Sequence, residues 1–340
     1  LSKYILQTGL TDCFDAEGKV IPCKASGQDG EFTPGQAWPD PRFSSIDEHL
    51  VHDRATDLIW SVDANLFSFQ MTWQEGLEAI NEMNIEKQFG RSDWRLPNRR
   101  EMRSLISHGA RKPALPAQHP FRNVFLGWYW TSTTSAMARG YAWYVHMEGG
   151  RMFYGRKDSY YLVWPVCGKS TILPRTGQNS CYDDQGVEMN CRDSLQDGEL
   201  LQGIIWPIPR FNQVDSGIID NLTSLIWYPP ASMGDTPSTW KEALTCVGEL
   251  ADKSEKPWRL PTINELESLV DGSRSSPALP DGHPFIAVQE AYWSSTTSFF
   301  EPDWAYVLYF HKGAVGVGYK KNKDFAMWPV MEVGKVLWPP

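Results

Sequence analysis

Two stretches of this chain bring together side chains that could do chemistry. The first, 135–161, contains Arg139, Tyr141, Tyr144, Arg151, Phe153, Tyr154, Arg156, Lys157, Tyr160 and Tyr161. The second, 298–326, contains Phe299, Phe300, Trp304, Lys312, Tyr319, Lys320, Lys321 and Lys323. Aromatic faces stack on sugar rings, and Arg or Lys pairs with sulfate or carboxylate. That chemistry suits an anionic glycan. The candidate ligand-binding residues are Arg139, Tyr141, Tyr144, Arg151, Tyr154 and Arg156 in the first stretch, with Trp304, Lys312, Tyr319 and Lys320 in the second. The competing reading makes both stretches solvated strand edges, on which Lys blocks edge-to-edge pairing.

Catalysis and metal binding find less support. Ser132, His146 and Asp158 have the residue types of a triad, but no Gly-x-Ser-x-Gly elbow is present, and Tyr309 stands at the place of His146 in the second half. No catalytic residue is assigned, and the reading is non-enzymatic. His119 and His283 each precede Pro-Phe and read as loop packing, because a metal needs further ligands nearby. Asp183-Asp184 sits in a turn where calcium is conceivable, yet no Asp-x-Asp-x-Asp loop supports it. No metal or cofactor is assigned.

Six cysteines add a constraint. Cys13 and Cys23 bracket an Asp-x-x-Gly turn, and so do Cys181 and Cys191. Disulfides closing two hairpins fit an oxidising compartment better than zinc, which favours closer Cys spacing.

The 340 residues carry a net charge of −9, which opposes binding to nucleic-acid phosphate. No run approaches the ~18–20 apolar residues of a membrane helix. With 16 Trp, 13 Tyr, 15 Phe, 27 Gly and 24 Pro, a β-rich, loop-rich globular chain follows. The first residue is Leu1, and no basic segment followed by an apolar stretch opens the chain. The expectation is an extracellular or cell-surface protein with its export signal removed.

What must position these residues is an internal duplication. Trp38-Pro-x-Pro-Arg-Phe43 returns as Trp206-Pro-x-Pro-Arg-Phe211, and Leu58-Ile-Trp60 as Leu225-Ile-Trp227. Trp94-Arg-Leu-Pro97 returns as Trp258-Arg-Leu-Pro261, Pro113-Ala-Leu-Pro116 as Pro277-Ala-Leu-Pro280, and Trp164-Pro-Val166 as Trp328-Pro-Val330. A period of about 165 residues is a whole domain. The boundaries fall at 1–168 and 169–334, with a tail at 335–340. Lys169–Pro174 resembles that tail, so the tail could dock on a neighbouring copy as the linker docks within one.

Within a unit, an opening strand, the Cys hairpin and a Pro-rich loop lead into two helices. Thr72 and Thr239 are N-caps for the first helix; Asn98 with Glu101, and Thr262 with Glu265, form capping boxes for the second. Trp143, Val145 and Met147 then alternate along a strand, mirrored by Tyr306, Leu308 and Phe310. The repeated tryptophans read as core. Arg95 and Arg259 read as donors to loop carbonyls. The class is α+β.

The series Trp-Arg-Leu-Pro, capped helix with Glu-Leu, Pro-Ala-Leu-Pro, Tyr-Trp-Ser-Ser-Thr-Thr and Trp-Pro-Val, as it stands in the second half, resembles the Legionella collagen-like protein C-terminal domain. This is a family of exported bacterial domains. Both halves resemble it over nearly the whole chain; the first differs at Asn98, Met102 and Thr131. The resemblance implies two tandem C-type-lectin-like domains, each with two helices on an irregular antiparallel sheet. It also implies a secreted or surface-attached adhesion protein whose partner is a surface glycan or protein. The alternative is an extracellular filament or layer built from copies of itself. In C-type lectins a helix cysteine pairs with a final-strand cysteine. Here Cys246 faces Ala79 in the alignment and Cys167 faces Met331, so each unit holds one member. Cys167 and Cys246 could join the two units, join neighbouring subunits, or stay free.

Overall fold

The computed structural model describes residues 2–234 and 236–333. The expected docking of the tail 335–340 lies outside the described residues. The first half contains strands β1 (Cys13–Phe14) and β2 (Val20–Ile21), helix α1 (Asp29–Phe32), strands β3 (Phe43–Ser45), β4 (Leu50–Asp53) and β5 (Leu58–Ser61), helices α2 (Trp73–Ile85) and α3 (Arg99–Ser104), and strands β6 (Trp128–Thr134), β7 (Tyr141–His146), β8 (Met152–Arg156) and β9 (Val166–Cys167). The second half repeats that order: β10 (Cys181–Tyr182), β11 (Glu188–Met189), α4 (Asp197–Leu200), β12 (Phe211–Val214), β13 (Gly217–Asp220), β14 (Leu225–Trp227), α5 (Trp240–Ser254), α6 (Ile263–Ser268), β15 (Ala291–Thr297), β16 (Trp304–Tyr309), β17 (Ala314–Tyr319) and β18 (Val330–Glu332). The fold is α+β, with two repeated halves. The opening strand is reduced to single bridges, Leu6 to Gln36 and Pro174 to Ile204.

Local chemistry explains the helices. Thr72 and Glu75 close a capping box on α2, and Thr239 and Glu242 do so on α5. On α2 the buried residues Trp73, Leu77, Ile80 and Met83 recur at helical spacing and form one cluster with Trp94, Trp130 and Val163. The boxes of α3 and α6 carry a second task. Arg95 donates to Glu101 at 2.6 Å, and Arg259 to Glu265 at 2.6 Å, with all four side chains buried. The main partner is therefore a carboxylate, which neutralises the guanidinium in a dry site, and of the expected carbonyls Arg259 reaches that of Leu260 at 3.5 Å.

Each half holds a four-stranded antiparallel sheet, β3-β4-β5-β9 or β12-β13-β14-β18. The third large sheet belongs to both halves: six strands in the order β15-β16-β17-β8-β7-β6. Its seam is the pair Val315 and Met152. Trp143, Val145, Tyr306 and Leu308 point to the inner face and join one core cluster spanning both halves.

Both expected disulfides are formed, Cys13–Cys23 and Cys181–Cys191. Cys167 and Cys246 are free. Of the three states open to them, the chain holds the free one: Cys167 is enclosed in the α2 cluster, its thiol pushed up to about 12 by that burial, whereas Cys246 is exposed on α5.

The opening segments reach across to the opposite half. Asp29, on α1, accepts a hydrogen bond from Thr296 of β15 at 2.7 Å; Asp197, on α4, accepts one from Thr133 of β6 at 2.6 Å. Burial pushes Asp29 up to about 7 and Asp197 up to about 6, against the bonds from those hydroxyls; Glu265 adds to the rise at Asp29 and Arg259 opposes it. A raised carboxyl contributes stability that is fully present below its ordinary value of 3.8 and is lost as pH climbs through about 7. Asp29→Asn keeps an acceptor oxygen without the charge. Its stability relative to wild type is expected to rise between pH 4.5 and pH 8, by on the order of a few kcal/mol, in urea unfolding. A pH-independent offset would contradict the assignment.

Candidate functional site

The outer face of the six-stranded sheet carries a row of rings. Alternation along β6, β7 and β8 places Trp128, Tyr144, His146 and Phe153 on this face, and cross-strand pairing sets Trp128 opposite His146 and Tyr144 opposite Phe153. The clusters of α2 and α5 cover the two ends, with Tyr144, Tyr161, Tyr309 and Phe325 packed at their margins. Between them the rings are only partly buried. Centroids lie 4.8 Å apart for Tyr161–Tyr144, 4.2 Å for Tyr144–Trp128 and 6.4 Å for Trp128–Phe153.

The row crosses the seam. The Lys312 ammonium stands 5.6 Å from the Phe153 centroid and 5.0 Å from that of Tyr309, bridging the halves, and Tyr309 continues to Phe325 at 5.8 Å. Two glycines let the rings lie against the sheet. A Cβ at Gly155 would meet the Tyr144 ring at 2.4 Å, and one at Gly316 would meet the Tyr309 ring at 2.7 Å. Burial raises the Tyr144 and Tyr309 hydroxyls and lowers His146, so these groups are neutral near pH 7. The arrangement offers flat apolar faces, neutral hydroxyls and one cation.

Residues 49–167 and 216–331 match the family model of the Lcl C-terminal domain. The chain belongs to that family. No curated protein matches the chain. The matched stretches contain β6–β8 and β15–β17, so the ring row lies within the two Lcl C-terminal domains. The opening hairpins lie outside them.

The two Lcl C-terminal domains differ where the row runs. Ala291, Val307 and Gly316 stand at the places of Trp128, Tyr144 and Phe153. The fold accommodates those small residues in one copy, so the large rings of the other are not demanded by the scaffold.

Of the ten residues expected to bind ligand, Tyr144 and Lys312 join the row. Tyr141, Tyr154 and Arg156 sit on the opposite face, where Tyr154 packs on Tyr141 and Trp143 and Arg156 pairs with Asp158 at 2.6 Å. Trp304 and Tyr319 stack on each other on that same face at 5.6 Å. Arg151 is partly buried beside the β7–β8 turn. Arg139 lies over the Tyr182 ring of the other half at 4.8 Å. Lys320 is a correction. It is 0% exposed, stands 4.1 Å from the Trp240 centroid and donates to the Asp15 carbonyl, and burial lowers its pKa to about 7. Lys157 repeats this on Trp73 and the Tyr182 carbonyl. Both lysines fasten an opening hairpin to the opposite half. The ring-row residues missed were Trp128, Tyr309 and Phe325; alternation with Trp130 could have placed Trp128.

Ser132 is buried on β6, His146 contacts the Glu148 carbonyl, and Asp158 pairs with Arg156, so each triad candidate is engaged separately. His119 and His283 stack on Phe121 and Phe285, as loop packing requires. Asp183 accepts from the amides of Gln185 and Val187 in its own turn.

Proposed function

We propose that this tandem Lcl C-terminal domain protein is a non-catalytic, exported binding protein that recognises an anionic glycan on the outer face of the shared sheet. The observation that carries the reading is the ring row: partly exposed aromatic faces on both sides of the seam, with Lys312 bridging Phe153 and Tyr309. Sugar rings present C–H faces to such a surface, and the ammonium pairs with sulfate or carboxylate. The two disulfides support an oxidising compartment.

Calorimetric titration with a heparin octasaccharide and with uncharged cellohexaose tests this. Binding of the octasaccharide is expected to weaken as salt rises. Lys312→Gln is expected to weaken it about three- to tenfold, equivalent to ~0.7–1.4 kcal/mol, and to leave cellohexaose unaffected. Failure of both sugars to bind would overturn the reading.

A further inference from the structure

A second site is built into the other half, and none of its residues belongs to the ring row. A cavity of about 660 Å³ opens between the start of the second unit and its Pro-rich loop, its lining including Arg175, Gln178, Trp206, Ile208, Arg210 and Asp281, the last neutralised by Arg274. That volume is in the range of small-molecule sites. Three of its buried polar atoms have no hydrogen-bond partner: Arg175 Nε, Gln178 Oε1 and Arg210 Nη1. Gln178 is 5% exposed and Arg210 7%. An unpaired buried donor or acceptor costs on the order of 1–3 kcal/mol, so three on residues lining one cavity favour an occupant toward which these side chains turn.

Their chemistry describes that occupant. The Arg210 guanidinium is held by Asp220 and the Ser268 carbonyl through Nε and Nη2, which leaves Nη1 as the free arm. With Arg175 it offers two cationic donors, the complement of a carboxylate. Gln178 Oε1 requires a donor, which a bare anion lacks and a hydroxyl supplies. Trp206 and the 98%-exposed Ile208 add an apolar wall suited to a sugar face. The first half keeps the arginine, Arg42, with its Nη1 likewise unpaired, but Gln7, Leu10 and Asp40 stand at the places of Arg175, Gln178 and Ile208.

We propose that this cavity binds a carboxylated sugar, with the carboxylate on Arg175 and Arg210, a hydroxyl on Gln178 and the ring against Trp206. Trigalacturonate, its methyl ester and inorganic sulfate serve as probes in titrations of the full chain. The test variants carry the first half's own residues, Arg175→Gln and Gln178→Leu, which the same fold accepts there. Expected are binding of trigalacturonate, at least tenfold weakening by each substitution and by esterification, and no change in the variant Trp128→Ala/Tyr144→Val/Phe153→Gly. That last arm separates this site from the ring row. No binding at millimolar trigalacturonate, equal binding of the ester or of sulfate, or indifference to Arg175→Gln would overturn the proposal.

Discussion

Replacing Trp128, Tyr144 and Phe153 by Ala, Val and Gly, the residues of the second half, is expected to abolish binding of the heparin octasaccharide while the chain stays folded. Each ring in contact with a sugar face contributes roughly 0.5–1.5 kcal/mol, so three removed together cost about 1.5–4.5 kcal/mol, on the order of 10- to 1,000-fold in affinity. The choice of residues separates binding from folding. Ala291, Val307 and Gly316 already occupy the equivalent places in the second half of the same sheet. Phe153→Gly carries the largest structural cost, about 1 kcal/mol for a glycine in a strand. Circular dichroism unchanged with binding lost is the expected pair of results. Binding retained would remove the ring row from the site.

The second large effect is expected at the contact between the halves. Arg103 and Glu267 hold equivalent positions on α3 and α6, and they face each other: Arg103 Nε donates to Glu267 at 3.0 Å, both side chains buried. The Arg99 guanidinium lies 3.9 Å from the same carboxylate and 4.2 Å from the Trp143 centroid. Burial lowers the Arg99 pKa to about 10, with Glu267 opposing that shift. Glu267→Ala leaves two buried guanidiniums without a carboxylate and is expected to cost about 3–5 kcal/mol in denaturant unfolding. Arg103→Met with Glu267→Leu is expected to recover part of that loss, because an apolar pair avoids desolvating charge. Equal positions of opposite sign also fit first half to second half, while two first halves would oppose arginines. A loss below about 1 kcal/mol would contradict this account.

Much of the local structure was legible in the sequence. Capping boxes are short patterns with a fixed hydrogen-bond consequence: those expected at Asn98 and Thr262 formed, and the N-caps expected at Thr72 and Thr239 formed as boxes too, with Glu75 and Glu242. The cysteine hairpins followed from spacing. The contacts between halves were not legible. Pairing of β17 with β8 joins residues far apart in sequence, and nothing local marks the seam. Lys157 and Lys320 looked like surface charges because their burial depends on hairpins donated by the opposite half. Tyr144 and Tyr154 were grouped in one candidate site; the register of β7 and β8 puts them on different faces, and which face stays open depends on where α2 and α5 pack. Glu101 and Glu265 were read as caps, and their second partners, Arg95 and Arg259, required the folded geometry.

The central claim is that sugar contacts the outer face of the shared sheet. Hydroxyl-radical footprinting of the full chain, with and without heparin octasaccharide, reads this directly at aromatic side chains. The account predicts protection of Trp128, Tyr144, Phe153 and Tyr309, with Tyr154, Trp304 and Tyr319 on the opposite face unchanged. Protection confined to that opposite face, or no protection at saturating sugar, would contradict it.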